Sequence, residues 1–378
     1  MLLHDTAPRP SGQFYTQLHT RTSGIDPRLR LGMQVRTILS VHALDLHAEL
    51  DADYRIVELT GQPATIGRAH AAYLRPVSSP FRPWPWEKNR DFLRACVALV
   101  GDVAPWLPEE LGSFAEIVGM APEQGLFVRA GTLNHGCSAV VWRAENGHVL
   151  AGRTYDFYVR MRTRHLLVTE PEQGYRHLGM NGGLVGGRYD GVNEHGLFVA
   201  LHKVMADRPE HDVPGIPYHL LPRIALQGCR TAREAADLIE HVPHLASFNY
   251  TLADASGALI ALECYPGRPV QRLEHDRVLA VTNHYIAPAL IPLQGKRSQE
   301  GSRRRQSALE RIVTATSEPW QATTAAIADH ANDVCCHREF GATLWAGVFD
   351  LTARRVAISF GAPCRNPLQD FAFPGDKR

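Results

Sequence analysis

Asn134-His135-Gly136-Cys137-Ser138-Ala139-Val140-Val141-Trp142-Arg143-Ala144-Glu145-Asn146-Gly147-His148-Val149-Leu150-Ala151-Gly152-Arg153-Thr154-Tyr155-Asp156-Phe157 is the stretch on which the reading of this chain turns. Two strand-like runs flank Asn146-Gly147, the strongest short-range signal for a two-residue type I′ hairpin. With that turn Glu145 pairs with His148, and each pair outward sums to the same index, which sets Cys137 opposite Asp156. Cross-strand partners share a face and lie about 5 Å apart at Cβ. The spacing therefore predicts a thiol beside a carboxylate at the open end of a hairpin. The same flat ladder pairs Arg153 with Val140 and turns it to the other face, so a bulge is needed to bring it round to Cys137.

The sequence around this hairpin is that of an ordinary globular protein. It has 378 residues, 44% apolar and 21% charged, with Lys+Arg 40 against Asp+Glu 39 and a net charge of +1. No global field favours nucleic acid or a membrane surface. No run approaches the roughly 18 apolar residues of a membrane span. The first 32 residues lack the apolar region of a secretory signal. Seven cysteines at irregular spacing argue against a disulfide framework and for a reducing, cytoplasmic setting. Cys335-Cys336-His337 reads as a core segment rather than a zinc site, so no metal is expected. Gly182-Gly183 and Gly186-Gly187 lack phosphate-loop spacing and read as strand bends.

Texture changes along the chain. Residues 1–136 read as mostly helical, with a strand at 54–59, helical spacing at 64–74, 91–103 and 109–120, and a Pro/Trp loop at 79–86. After Cys137 strand candidates dominate, at 138–142, 148–152, 197–203, 249–254, 258–263, 278–282, 343–349 and 355–360. Helices are expected at 217–226, 231–239, 301–316 and 320–330. Hairpins with separate helical blocks predict an α+β protein built on antiparallel sheet.

A protonated thiol is a weak nucleophile and needs a base. One solution is the nucleophile's own α-amine, freed by cleaving the bond before it, and a glycine before the cysteine suits that route. The residues Cys137-Ser138 followed by Gly152-Arg153-x-x-Asp156-Phe157 resemble the Ntn hydrolases of the isopenicillin N acyltransferase, penicillin V acylase and bile-salt hydrolase group. Further motifs are similar in order: 56–61 with 67–70, Gly191-Val192-Asn193-Glu194-His195-Gly196-Leu197, Phe248-Asn249-Tyr250 with Ala253-Asp254 and Gly257, Val281-Thr282-Asn283-His284, and Thr343-Leu344-Trp345 with Gly361-Ala362-Pro363-Cys364.

The resemblance implies a four-layer αββα sandwich with two antiparallel sheets, and two chains, 1–136 and 137–378, that stay associated after cleavage between Gly136 and Cys137. Cys137 would be the nucleophile, Asp156 would hold its ammonium, Arg153 would lower the thiol pKa, and Asn283 would donate to the oxyanion. Arg303, beside Ser302, would bring a second arginine; Arg303 to Arg305 also read as the solvated start of a helix. His202 stands where relatives often carry an asparagine of the oxyanion hole, and Arg338 is displaced from an arginine of the acyltransferase branch. Trp142, Tyr155, Phe157, Tyr158 and Tyr285 would suit an apolar acyl or aryl pocket, and Arg160, Arg162 and Arg164 could meet a carboxylate or form a solvated face. The implied function is a self-processing amidohydrolase acting on a small linear amide, without cofactor, and able to form a homo-oligomer. Acyl transfer to an amine and an inactive binding module are the alternatives.

Overall fold

A computed structural model describes residues 18–20, 33–38, 52–73, 86–126, 136–159, 161–206, 213–315, 317–338 and 341–376. The chain forms two sheets. One has ten strands in the order β1-β2-β3-β6-β7-β8-β9-β10-β11-β12; the other has six, β13-β4-β5-β14-β15-β16. The ten-stranded sheet comprises β1 Leu18–Thr20, β2 Met33–Ile38, β3 Asp53–Gly61, β6 Thr163–Pro171, β7 His177–Asn181, β8 Asp190–Asn193, β9 Phe198–Lys203, β10 Phe248–Ala253, β11 Leu259–Cys264 and β12 Gln271–His275. The six-stranded sheet comprises β4 Cys137–Arg143, β5 Val149–Tyr158, β13 Val278–Val281, β14 Gly341–Asp350, β15 Arg355–Phe360 and β16 Gln369–Phe371. Neighbouring strands run antiparallel except β3 and β6, which are parallel.

Among the described residues there are seven α-helices: α1 Pro63–Tyr73, α2 Trp86–Val103, α3 Leu107–Val118, α4 Leu220–Gly228, α5 Ala232–Glu240, α6 Glu300–Val313 and α7 Pro319–Ile327. α4 and α5 pack on β8 to β11, α6 and α7 pack on β13, β4, β5 and β14, and the sheets meet through β4 and β13 against β9, β10 and β11. The result is the four-layer αββα sandwich. Strand alternation then divides the hairpin. Cys137, Ala139, Val141, Val149, Ala151 and Tyr155 join the core between the sheets, whereas Val140, Trp142 and Leu150 join a smaller cluster under α6 and α7. Such side chains leave water at roughly 25 cal/mol per Å² of apolar surface, so both faces of this hairpin are paid-up core.

Two expectations need correction. The N-terminal segment carries its expected helices and, as β3, its expected strand, and β1 and β2 add two strands that were not expected. The hairpin turn is also different. Ala144 N–H donates to His148 O at 2.8 Å and Gly147 N–H to Ala144 O at 3.0 Å, and within the turn only Gly147 has positive φ, +85°. This is a three-residue loop ending in a left-handed glycine, not the type I′ turn, which needs two positive φ values. The ladder therefore slips by one residue: Cys137 pairs with Tyr155 and Ala139 with Arg153. Among the described residues no helix is long and apolar enough to cross a membrane. All seven cysteines are free thiols.

Candidate active site

A one-residue slip moves every side chain of a strand to its other face. Arg153 consequently shares the Cys137 face with no bulge between them, and Asp156 goes to the face that carries Ser138 and Thr154. Asp156 is not the direct cross-strand partner of Cys137, yet it still meets the Gly136–Cys137 junction. Its N–H donates to Gly136 O at 2.9 Å, and a Cβ added at Gly136 would lie 3.0 Å from its Oδ2 and 3.0 Å from Arg305 Cζ. Glycine precedes the cysteine because a side chain there would wedge between a carboxylate and a guanidinium.

Arg153 is sealed in the core. Its Nε donates to Asp190 Oδ2 at 3.2 Å, its Nη1 to His202 Nδ1 at 3.1 Å and its Nη2 to Leu201 O at 2.8 Å. Trp345 Nε1 donates to the same Asp190 oxygen at 2.9 Å. The Arg153 guanidinium and its own burial hold His202 well below the usual histidine range, burial being the larger cause. A neutral His202 then carries its proton on Nε2, which lies 2.9 Å from Thr251 Oγ1. Both ring nitrogens are engaged, Nδ1 by Arg153 and Nε2 by the Thr251 hydroxyl.

Burial pushes the Cys137 thiol up; Arg153 opposes that rise, Asp156 adds to it and Arg305 opposes it. The expected lowering by Arg153 is present in sign but is outweighed by loss of water. Such a thiol requires a base. Burial likewise pushes Asp156 up to about 7, against Arg305, the Thr343 hydroxyl and Arg153. Thr343 Oγ1 donates to Asp156 Oδ1 at 2.7 Å.

Asn283 closes the junction from the other sheet edge. Its Oδ1 accepts from the Cys137 N–H at 2.7 Å and from Arg305 Nη2 at 2.7 Å, and its Nδ2 donates to Lys203 O at 2.9 Å. In the uncleaved chain its oxygen holds the nitrogen of Cys137 and its amide N–H group is taken by Lys203 O. Asn283 N–H donates to Ser302 Oγ at 2.9 Å, and Asn249 Nδ2 donates to His284 O at 2.8 Å, so the Thr282–His284 bend is held on both sides. Arg305 Nε also donates to Ser138 Oγ at 3.1 Å. The arginine brought to the junction is thus Arg305, and Arg303 is exposed. Residues 302 and 305 share a helix face, which i,i+3 spacing from the buried Ser302 could have indicated.

The expected apolar pocket does not assemble. Trp142 donates to Thr323 Oγ1 under α7 at 3.0 Å. Tyr155 is buried, stacked on Trp345 with centroids 4.1 Å apart, and Phe157 lies against it at 5.9 Å. Tyr285 donates to Cys264 O at 2.7 Å in a separate cluster. Arg164 is buried and donates to Val159 O and Met161 O, and so is no solvated face; Arg160 lies outside the described residues. A cleft of about 680 Å³ opens instead beside Gly136, Asp156 and Asn283, with Arg297, Arg304, Arg305 and Arg338 on its walls. Strand alternation predicts aromatic residues near Cys137, but it does not say which of them turn away from solvent.

The sequence model for acyl-coenzyme A:6-aminopenicillanic acid acyl-transferase matches residues 142–365, more than half of the chain and all of the residues above except Gly136, Cys137 and Ser138. No curated protein matches. Among solved structures, penicillin V acylase from Agrobacterium tumefaciens is 17% identical, with 59% of this chain and 83% of that one covered, at a TM-score of 0.42. An N-acylethanolamine-hydrolyzing acid amidase ortholog from Caenorhabditis elegans is 10% identical, with coverage of 57% and 93% and a TM-score of 0.44. A variant of conjugated bile acid hydrolase from Clostridium perfringens is 11% identical, with coverage of 63% and 97% and a TM-score of 0.42.

Proposed function

This chain belongs to the acyl-coenzyme A:6-aminopenicillanic acid acyl-transferase family, and from that premise we propose that it cleaves itself between Gly136 and Cys137 and then hydrolyses a linear amide through a thioester on Cys137. The observation that carries this reading is the grip on the junction: the Gly136 carbonyl accepts from Asp156 N–H at 2.9 Å, and the Cys137 nitrogen donates to Asn283 at 2.7 Å. In self-cleavage the sulfur attacks the Gly136 carbonyl carbon, and the Asp156 N–H steadies the oxyanion. Collapse breaks the C–N bond and leaves a thioester, which water hydrolyses to a Gly136 carboxylate and a free Cys137 amine.

That amine is the base the raised thiol lacks. It takes the thiol proton, the sulfur adds to the substrate carbonyl, and the ammonium returns the proton to the leaving amine as the new thioester forms. Asn283 and Asp156 orient the amine, and Arg153 supplies a fixed positive charge beside the sulfur. Water then releases the acid. Arginines around the cleft support a substrate whose acyl-amino half is anionic. Delivery of the acyl group to an amine shares every step up to deacylation, and the family's description favours keeping that second reading.

The test is the intact mass of the purified chain beside its Cys137→Ala variant. The expected result is two fragments, 1–136 and 137–378, from the native chain only, with amidase activity confined to the cleaved form. A native chain that stays whole while remaining as active as Cys137→Ala would overturn the proposal.

A further inference from the structure

At the corner where the chain leaves α7, before β14, four metal-binding side chains converge: His330, Cys335, His337 and Cys364. Two lie on the 335–337 segment and one just after α7, while Cys364 comes from the turn after β15. Their ligand atoms all lie within 4.8 Å of one another. His337 Nε2 is 3.1 Å from His330 Nε2, 3.1 Å from Cys364 Sγ and 3.4 Å from Cys335 Sγ. A tetrahedral zinc ion with Zn–N of about 2.0–2.1 Å and Zn–S of about 2.3 Å sets its ligand atoms roughly 3.3–3.8 Å apart. The three spacings from His337 Nε2 fall a few tenths of an ångström short of those edges and the rest lie within 4.8 Å, so small side-chain rotations would seat the ion. Two sulfurs and two imidazole nitrogens are also the donor set that zinc takes in closed, four-ligand sites.

We propose that these four residues bind one zinc ion as a structural site distinct from the nucleophile. Binding takes up Zn²⁺, deprotonates Cys335 and Cys364, and releases two protons to solvent, leaving a neutral centre. Its consequence for the active site runs through the residue between two ligands. Cys336 N–H donates to Thr343 Oγ1 at 2.8 Å, and Thr343 donates to Asp156 at 2.7 Å. Asp333, Cys336, Arg338 and Gly341 also form one wall of the cleft. Zinc would tie that wall to the turn after β15, two segments otherwise far apart in sequence.

The experiment uses the full-length chain, reduced, loaded with Zn²⁺ alone, desalted and assayed by elemental analysis, with Co²⁺ substitution as a spectroscopic check. The expected result is about one zinc per chain for the native protein and less than about a tenth for Cys364→Ser and His330→Ala. Co²⁺ should give intense visible bands of tetrahedral coordination and a thiolate charge-transfer band, and both should be lost in Cys364→Ser. Cys364 and His330 are exposed, so circular dichroism should show both variants folded. Zinc should raise the melting temperature of the native chain and leave that of Cys364→Ser unmoved. A native chain that retains less than about a tenth of a zinc, or equal zinc in the native chain and both variants, would each overturn the site.

Discussion

One face of the β4–β5 hairpin holds an arginine that solvent cannot reach; the other holds a carboxylate and an arginine at the edge of a cleft. Arg153 is fully buried and donates to a carboxylate, an imidazole and a carbonyl from the opposing sheet. Arg305 is half-buried on a helix and donates to Ser138 and Asn283. Both influence Cys137, but Arg153 is the stronger of the two. A charge locked between sheets cannot follow a reacting group, so it sets a constant potential. A charge on the cleft wall can bind and release an anion. The same residue type is therefore sealed in the core on one face and open to a cleft on the other.

The largest expected effect breaks this symmetry. Arg153→Ala leaves the Asp190 carboxylate buried with only Trp345 among its side-chain donors, which should cost about 3–5 kcal/mol of stability, read from urea unfolding. Arg305→Ala should cost under about 1 kcal/mol, yet lower amide turnover by about 10²–10³. Equal destabilisation by the two variants would sink the comparison.

Asp156 sharpens it next. Its folded pKa of about 7 lies above the ordinary 3.8, so the folded state binds the extra proton. The sign follows: its burial costs nothing below about pH 4, and stability falls as pH rises through that window, fully by about pH 8. At about 1.4 kcal/mol per pKa unit the loss reaches at most about 4 kcal/mol. Asp156→Asn should flatten the fall between pH 4 and 8; urea midpoints that decline as steeply in the variant would refute this assignment.

Much of the architecture was readable in the chain because strands and helices declare themselves by period. All eight strands expected after Cys137 and all four helices expected there are present, the widest departure being β5, which runs six residues further, to Tyr158. The hairpin was readable; its register was not. Asn146-Gly147 satisfies both a type I′ turn and a type I turn closed by a left-handed glycine, and the choice rests on contacts made far away, Arg153 with Asp190 and Asp156 with Thr343. Three consecutive arginines on α6 announce a basic patch without saying which one turns inward. The aromatic residues near Cys137 read as the lining of an apolar pocket, whereas Tyr155, Trp142 and Tyr285 belong to three separate buried clusters. Cys335 and His337 were visible as neighbours, whereas His330 and Cys364 reach them only through the fold.

Two smaller effects probe the cleft face alone. Gly136→Ala places a methyl 3.0 Å from both Asp156 Oδ2 and Arg305 Cζ. That contact is close enough to shift one of them, so self-cleavage should slow by about tenfold, followed by the appearance of fragment 137–378 over time. Arg303→Gln removes an exposed charge of the same helix without touching the junction. Turnover and unfolding should both stay within about twofold of the native chain. Arg303 and Arg305 differ by only two positions on one helix, so unequal effects from the two can arise only from which face each occupies. A loss for Arg303→Gln as large as that for Arg305→Ala would instead mean that the helix contributes a diffuse positive field, and that no single arginine addresses the nucleophile.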